Sequence, residues 1–292
     1  MSFGEKILEK ILKKEGNVSF CFMPYKYSMW DSMETLFDAC IEKNIETYLS
    51  PVSYYTKTDG VWHDESEEFG CVDKDGVKMA DVIVIHNPYD NKNRLTSIDP
   101  EYYSCELKRM GKKIVYLAYM GAAPRDGFIL QPGVMYADYI FTETDEEAER
   151  YVNAWKNQGI NKADNVFCVG GLPKYESIKD EEKTIDVLVC GSLTPFLESP
   201  MDRIRRWKMT IEKFDGNIVF RPHPLLEDGI RWNCPGMMSH YKGFLLWCKN
   251  KGVIIDITAD NQRVLRGAKF LASDPSSILE MWKRTGKEYE VM

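Results

Sequence analysis

Histidine is scarce in this sequence and paired cysteine is absent. Four histidines and eight cysteines are scattered over 292 residues, and no C-x-x-C pair occurs. That scatter excludes the ligand spacing of a structural zinc site. Thiols set inside apolar runs such as VLVCGS and NVFCVGG read as reduced and buried, not as a disulfide framework. No metal and no cofactor are expected. An excess of basic charge is also missing: 38 Lys and Arg stand against 45 Asp and Glu, for a net charge of −7. A general nucleic-acid binder would carry a basic stripe, so nucleic acid is not an expected partner; a local cationic pocket remains open. No stretch approaches the about 18 consecutive apolar residues of a membrane-spanning helix. The start, MSFGEKILEKILKK, has no apolar core of the kind a signal peptide needs. A cytoplasmic protein is the expectation. G-x-G-x-x-G, the P-loop, H-E-x-x-H and a Ser–His–Asp order are all absent.

What is present is an alternation of short apolar runs with helical stretches. Strands are expected at 18–23, 46–52, 82–86, 113–119, 139–144 and 166–171, the run VIVIH being buried by its unbroken β-branched composition. Helices are expected at 32–43, at 100–111 behind a proline, and at 145–159, where acidic residues fill the first turn. The polar stretch containing Gly60, Gly70 and Gly76 reads as a hairpin or an irregular loop. Residues 172–184 are charged and without buried periodicity, and read as a linker. The alternation then restarts, with strands at 186–191, 217–222, 253–257 and 269–273 and helices at 201–214, 240–252, 260–268 and 276–286. Such alternation predicts parallel sheets covered by helices. The expected organisation is an α/β protein with two Rossmann-like domains facing a cleft: 1–171, a linker at 172–184, and 185–292. Ahead of the first strand, Ile7, Leu8, Ile11 and Leu12 share one helical face among Lys6, Lys10, Lys13 and Lys14. Residues 3–14 therefore either pack on the body of the protein or rest on an anionic membrane surface, which would make the protein membrane-peripheral.

The chemistry-bearing stretches all fall at the carboxyl ends of expected strands, where ligands of such folds lie. FRPHP places Arg221 and His223 at the mouth of the strand expected at 217–222, with Pro222 and Pro224 stiffening the turn. A guanidinium and an imidazole held that way suit a phosphate or a developing negative charge. ASDPSS puts Asp274 at a strand end and Ser276 and Ser277 at a helix start, a place for phosphate or simply for N-capping. CGSLT contributes Gly191, Ser192 and Thr194, a weaker signal. In the first half, PYKYSMWDS carries Lys26 and Asp31, and IHNPYD carries His86 and Asp90. A histidine or aspartate there is a candidate general base, a core histidine and a turn-starting aspartate being the plainer readings.

Taken together, PYKYSMWDSMETL, IHNPYDNKN with TSIDPEYYS, FRPHPLL and SDPSSILEMWKRTGK resemble the CDP-glycerol glycerophosphotransferase family, in order and from about residue 17 to the end of the chain. The resemblance implies a GT-B fold with a CDP-polyol donor held mainly by the C-terminal domain. It implies transfer of glycerol phosphate or ribitol phosphate to a hydroxyl of a cell-surface glycan or teichoic-acid-like acceptor, which can be lipid-linked. On it, Arg221 and His223 meet the donor pyrophosphate, Ser276 and Ser277 hold phosphate with Asp274 nearby, and Lys26 assists from across the cleft. The sequence departs from the family at the N-domain His–Gly pair. Its nearest counterpart is Tyr119–Met120–Gly121, so either His86, Asp90 or Asp31 serves as base or this branch differs in acceptor or chemistry. A nucleotide-sugar glycosyltransferase on the same scaffold and a non-catalytic nucleotide-binding relative are the other readings.

Overall fold

A computed structural model describes residues 1–56, 60–70, 72–73, 75–90, 96–119, 126–176, 183–258 and 261–292. Two compact units make up the chain, Met1–Ser177 and Ile178–Met292.

In the first unit the strands are β1 (Phe20–Phe22), β2 (Thr47–Leu49), β3 (Tyr54–Thr56), β4 (Val61–His63), β5 (Val82–Ile85), β6 (Thr96–Ile98), β7 (Lys113–Tyr116), β8 (Tyr139–Thr142) and β9 (Val166–Cys168). Six of them form one parallel sheet in the order β2-β1-β5-β7-β8-β9. The glycine-rich polar stretch contains the antiparallel pair β3–β4, with Tyr54 opposite His63, and β6 completes that small sheet. Strand alternation divides the main core. Cys21, Ile83, Ile85, Ile114 and Tyr116 go to one face of the parallel sheet. Phe20, Phe22, Val82, Val84 and Val115 go to the other. Both faces are dry, which is why the strands read as unbroken apolar runs.

The helix Phe3–Glu15 covers the second face. Ser2 and Glu5 close a capping box at its start. Ile7, Leu8 and Ile11 are fully buried against β1 and the helix Glu34–Glu42. Each such side chain contributes roughly 1.5–3 kcal/mol of gross transfer free energy. The membrane-surface alternative for residues 3–14 is thereby corrected, because the apolar face is already spent on the core. Close approach of the two helices depends on Gly4: a Cβ there would lie 2.1 Å from the Thr35 carbonyl oxygen. Among the described residues, no helix is long and apolar enough to cross a membrane.

The stretch expected as a linker begins differently. Pro173–Glu176 form a short helix in the first unit, and the Glu176 carboxylate accepts the Phe3 N–H at 2.6 Å. Lys174 in that helix is buried. Residues 177–182 lie outside the described residues.

The second unit contains β10 (Ile185–Gly191), β11 (Ile218–Pro222), β12 (Ile254–Ile255), β13 (Ala268–Ser273) and β14 (Tyr289–Val291), all parallel in the order β12-β11-β10-β13-β14. Trp207, Phe196, Phe220 and Phe244 build its core. The strand order reverses between β1 and β5 in the first unit and between β10 and β13 in the second. Crevices outside the carboxyl ends at such points are where open α/β sheets hold ligands.

Candidate functional site

In the second unit three strand exits stand side by side. Cys190 is in register with Arg221 on one side and with Ser273 on the other. The His223 N–H donates to the Gly191 carbonyl at 2.7 Å, and the Asp274 N–H donates to the Cys190 carbonyl at 3.1 Å. The three motifs FRPHP, CGSLT and SDPSS therefore meet at one sheet end. Gly191 is small for packing: a Cβ there would lie 2.7 Å from the Trp207 ring.

His223 is exposed, and its ring is held by its own turn. Nδ1 accepts the Leu225 N–H at 3.1 Å. A nitrogen that accepts cannot carry the proton, so the network assigns a neutral ring with its hydrogen on Nε2. Desolvation by the surrounding protein lowers the ring's pKa from the ordinary imidazole value, in the same sense. The outcome is a preset N–H donor.

Arg221 and Asp274 stand at the strand ends expected of them, but their charges are met inside the protein. Arg221 is buried; Nη1 pairs with the Asp256 carboxylate and Nη2 donates to the Thr258 carbonyl at 2.8 Å. Asp256 in turn accepts the Thr258 N–H at 3.0 Å and its hydroxyl at 2.7 Å. The guanidinium is thus an internal brace between the β11 exit and the loop after β12. Asp274 is fully buried. Its carboxylate accepts from Arg203 at 2.6 Å, from the Ser192 N–H at 2.8 Å and from the Trp207 indole at 3.1 Å. Burial raises its pKa even against those donors. The carboxylate sits across the β10–β13 switch point and fastens the Ser192 turn to the helix Pro200–Ile211. In both residues the charged group is engaged by partners within the second unit.

The serines and threonine divide by exposure. Ser192 is buried, whereas Thr194 and Ser277 are exposed. The Ser276 hydroxyl accepts the Leu279 N–H at 3.2 Å and caps the helix Ser277–Lys283, the plainer of its expected roles.

In the first unit, His86 lies at the β1–β5 switch point but is sealed in. Nδ1 lies 3.0 Å from the Ser32 hydroxyl and 3.2 Å from the Met29 carbonyl, and Nε2 accepts the Tyr25 N–H at 3.3 Å. The Ser32 hydroxyl itself donates to Met29 O at 2.7 Å, so Nδ1 carries the hydrogen. Burial first, and the Lys174 charge as well, push the ring pKa down to about 3. A ring with no free lone pair and that little proton affinity is a satisfied core histidine, and its expected role as base is corrected on those grounds.

Asp90 accepts the Ser104 N–H at 2.6 Å on Oδ2, while Oδ1 is buried with no hydrogen-bond partner among the described residues. Burial pushes its carboxyl up to about 6. Lys26 is half-buried with its ammonium 4.6 Å from the Tyr54 ring centroid. Of the Tyr119–Met120–Gly121 counterpart, only Tyr119 is among the described residues; its hydroxyl lies 2.7 Å from that of Tyr89.

Lys174 was missed in the sequence. Its ammonium donates to the Tyr119 carbonyl at 2.6 Å and lies 3.5 Å from Asp31, with both side chains nearly excluded from solvent. It ties the exits of β1 and β7 to the end of the unit. The charges of DEEKT downstream masked it. The useful signal was its setting in LPKY, where Leu172 and Tyr175 pack into the core. Among the described residues, no group of His, Cys, Asp and Glu is arranged to hold a metal ion.

No protein-family model and no curated protein matches the chain. Among solved structures it is similar to a Listeria monocytogenes protein provisionally assigned as a UDP-N-acetylglucosamine 2-epimerase. The TM-score is 0.57 and the sequence identity 12%, over 94% of this chain and 79% of that one. At that identity the likeness concerns the fold alone, and with the two parallel sheets above it makes this chain an α/β protein of the GT-B class.

Proposed function

We propose that this chain is a transferase that moves glycerol phosphate or ribitol phosphate from a CDP-activated donor to a hydroxyl of a cell-surface glycan or teichoic-acid-like acceptor. The observation that carries the reading is the His223 ring, fixed by Leu225 as an Nε2–H donor at the exits of β10, β11 and β13. In this reading the donor diphosphate lies at those exits. The acceptor oxygen attacks the β-phosphorus; a P–O bond forms to the acceptor, the bond between the β-phosphorus and the bridging oxygen breaks, and CMP leaves with that oxygen on its α-phosphate. Negative charge gathers on phosphoryl oxygens, and a preset N–H donor stabilises it without reorganisation. The exposed Thr194 and Ser277 hydroxyls supply further donors. The acceptor proton is released to solvent, since His86 has no lone pair to offer and the Asp90 carboxylate has one oxygen on the Ser104 N–H and the other buried.

A second reading is favoured by the likeness to a protein assigned as an epimerase of UDP-N-acetylglucosamine: the donor is then a nucleotide sugar. Thermal shift at fixed ligand concentration separates the two, because a ligand that binds only the folded state raises Tm. The panel is CDP-glycerol, CDP-ribitol, CMP, UDP, UDP-N-acetylglucosamine and GDP. A shift confined to the cytidine nucleotides and largest with a CDP-polyol is expected. A shift confined to uridine or guanosine nucleotides moves the assignment to nucleotide-sugar chemistry, and no shift at all removes the donor site.

A further inference from the structure

The parallel sheet of the first unit ends at β9, which pairs with β8 on one side. The Val169 N–H donates to the Thr142 carbonyl at 3.0 Å, so Phe167 and Val169 turn their backbone groups toward β8. By alternation Val166 and Cys168 turn theirs outward. The Val166 N–H is spent on the Ala163 carbonyl. The Cys168 N–H and the carbonyls of Val166 and Cys168 remain on the outer edge of a strand that is only half-buried. The strand is VFC, with none of the charges or prolines that blunt an edge against pairing.

A helix flanks this edge on each face of the sheet, and the two carry opposite charge. The helix Phe3–Glu15 packs on the face that takes Phe167, and the helix Asp145–Lys156 on the face that takes Val166. Between the first helix and β9 lies a cavity of about 380 Å³ lined by Lys6, Lys10 and Lys13, which follow one line of the helix surface. Lys6 donates to the Val169 carbonyl at 3.4 Å, which brings that row onto the end of the strand. Glu9 also lines this cavity, and Lys43 meets it at 3.6 Å. Between the second helix and β9 lies a cavity of about 670 Å³ whose charged lining is Asp145 and Glu149. Lys10, Lys13, Asp145 and Glu149 are exposed and make no ion pair among the described residues.

The backbone edge accepts a strand, and the flanking charges select which one. Antiparallel pairing of β9 with a second copy of itself sets lysine row against lysine row and acid row against acid row, which repels. An added strand turns alternate side chains to opposite faces. Acidic side chains on one face and basic ones on the other satisfy both rows. We propose that the β9 edge docks an extended peptide segment of a partner protein in which acidic and basic residues alternate, by addition to the sheet. The surface does not depend on the transfer reaction proposed above.

The test is calorimetric titration of the full chain with acetyl-Glu-Lys-Glu-Lys-Glu-Lys-Glu-amide and with acetyl-Glu-Glu-Lys-Lys-Glu-Glu-Lys-amide, which has the same composition without the alternation. Saturable binding of the alternating peptide, at least about 10-fold tighter than of the other, is expected, together with slowed hydrogen exchange at the Cys168 amide. Lys10→Glu combined with Lys13→Glu should weaken the alternating peptide about 10-fold. Should that protein fail to fold, Glu149→Lys on the opposite face decides, with a loss of affinity expected there too. No saturable binding, equal binding of the two peptides, or binding without protection of Cys168 overturns the proposal. So does a dimer in sedimentation that the peptide disperses, which would assign the edge to a second copy of the chain.

Discussion

The two units each place a histidine just beyond a strand beside the topological switch, and the two histidines do opposite things. His86 follows VIVI and is drawn inside with its strand; a backbone N–H takes its Nε2, and burial removes its basicity. His223 follows a strand that ends between prolines, stays at the surface, and has only Nδ1 taken, by its own turn. Residue type and the place just past a parallel strand are the same, although β5 borders its switch point and β11 lies one strand away from its own. What differs is burial and which nitrogens are taken: both nitrogens of the buried His86 are engaged, whereas in the exposed His223 the turn takes Nδ1.

The largest effect expected is on the scaffold behind His223. Asp256→Ala leaves Arg221 as a buried charge without its carboxylate, and should cost about 3–5 kcal/mol in denaturant unfolding. If the loss is below about 1 kcal/mol, the brace between β11 and the loop after β12 is not what holds the turn. Next comes the donor itself. His223→Ala should lower turnover with the CDP-polyol about 100-fold, the size of one lost preorganised donor, while the unfolding midpoint stays close to wild type. Turnover in the parent should not fall as pH rises through 6.5, the ordinary imidazole value, because the active ring is already neutral; a fall there would mean that an imidazolium is needed.

His86 sharpens the contrast through acid stability. Its folded pKa, about 3, lies below the ordinary 6.5, so the unfolded chain binds the proton more readily. The stabilisation is complete above about 6.5 and is lost as pH falls toward 3, by up to about 1.4 kcal/mol per pH unit. Asp90, raised from 3.8 to about 6, works in the other direction: its folded form holds a proton that the unfolded chain releases between those values. The two slopes partly cancel between 3.8 and 6. Asp90→Asn, which keeps a carbonyl for the Ser104 N–H, should therefore make the acid loss steeper, and His86→Gln should make it shallower, in unfolding curves collected across that range. Identical slopes in all three proteins would show that His86 is not titrating out of the core. The smallest effect expected is at the helix cap: Ser276→Ala should cost about 1 kcal/mol of stability. A far larger drop in turnover than in stability would return Ser276 from cap to ligand contact.

Much of the architecture was legible because it rests on short-range patterns. Runs such as VIVIH and VLVCG are strands because both faces of a parallel sheet are dry, and Thr144 with its acidic first turn starts the helix Asp145–Lys156. Elements were lost where the local signal is faint. β14, Tyr289–Val291, is a half-exposed edge strand without an apolar run. The expected strand at 253–257 shrinks to Ile254–Ile255, and just past it the Asp256 carboxylate accepts the Thr258 N–H at 3.0 Å in a tight turn. The expected helix at 100–111 breaks at Tyr103 into a 3-10 turn and the helix Ser104–Arg109. Apolar periodicity for the N-terminal helix was plain, yet periodicity alone does not say what the apolar face meets.

By itself the sequence determined most of the strands and helices, that the strands of the two main sheets pair in parallel, and that the chemically equipped loops follow strands. Those facts depend on composition and period, which are local. Only the tertiary structure decided that Arg221 and Asp274 are internal braces, that His86 is sealed while His223 is presented, and that Lys174 belongs to the first unit's polar core. Such outcomes hang on partners far along the chain: Asp256 for Arg221, Arg203 for Asp274, Tyr25 for His86, Asp31 for Lys174. A side chain's charge and hydrogen-bonding capacity are written in its identity, but whether they are consumed inside or offered outside is set by which groups folding brings against it.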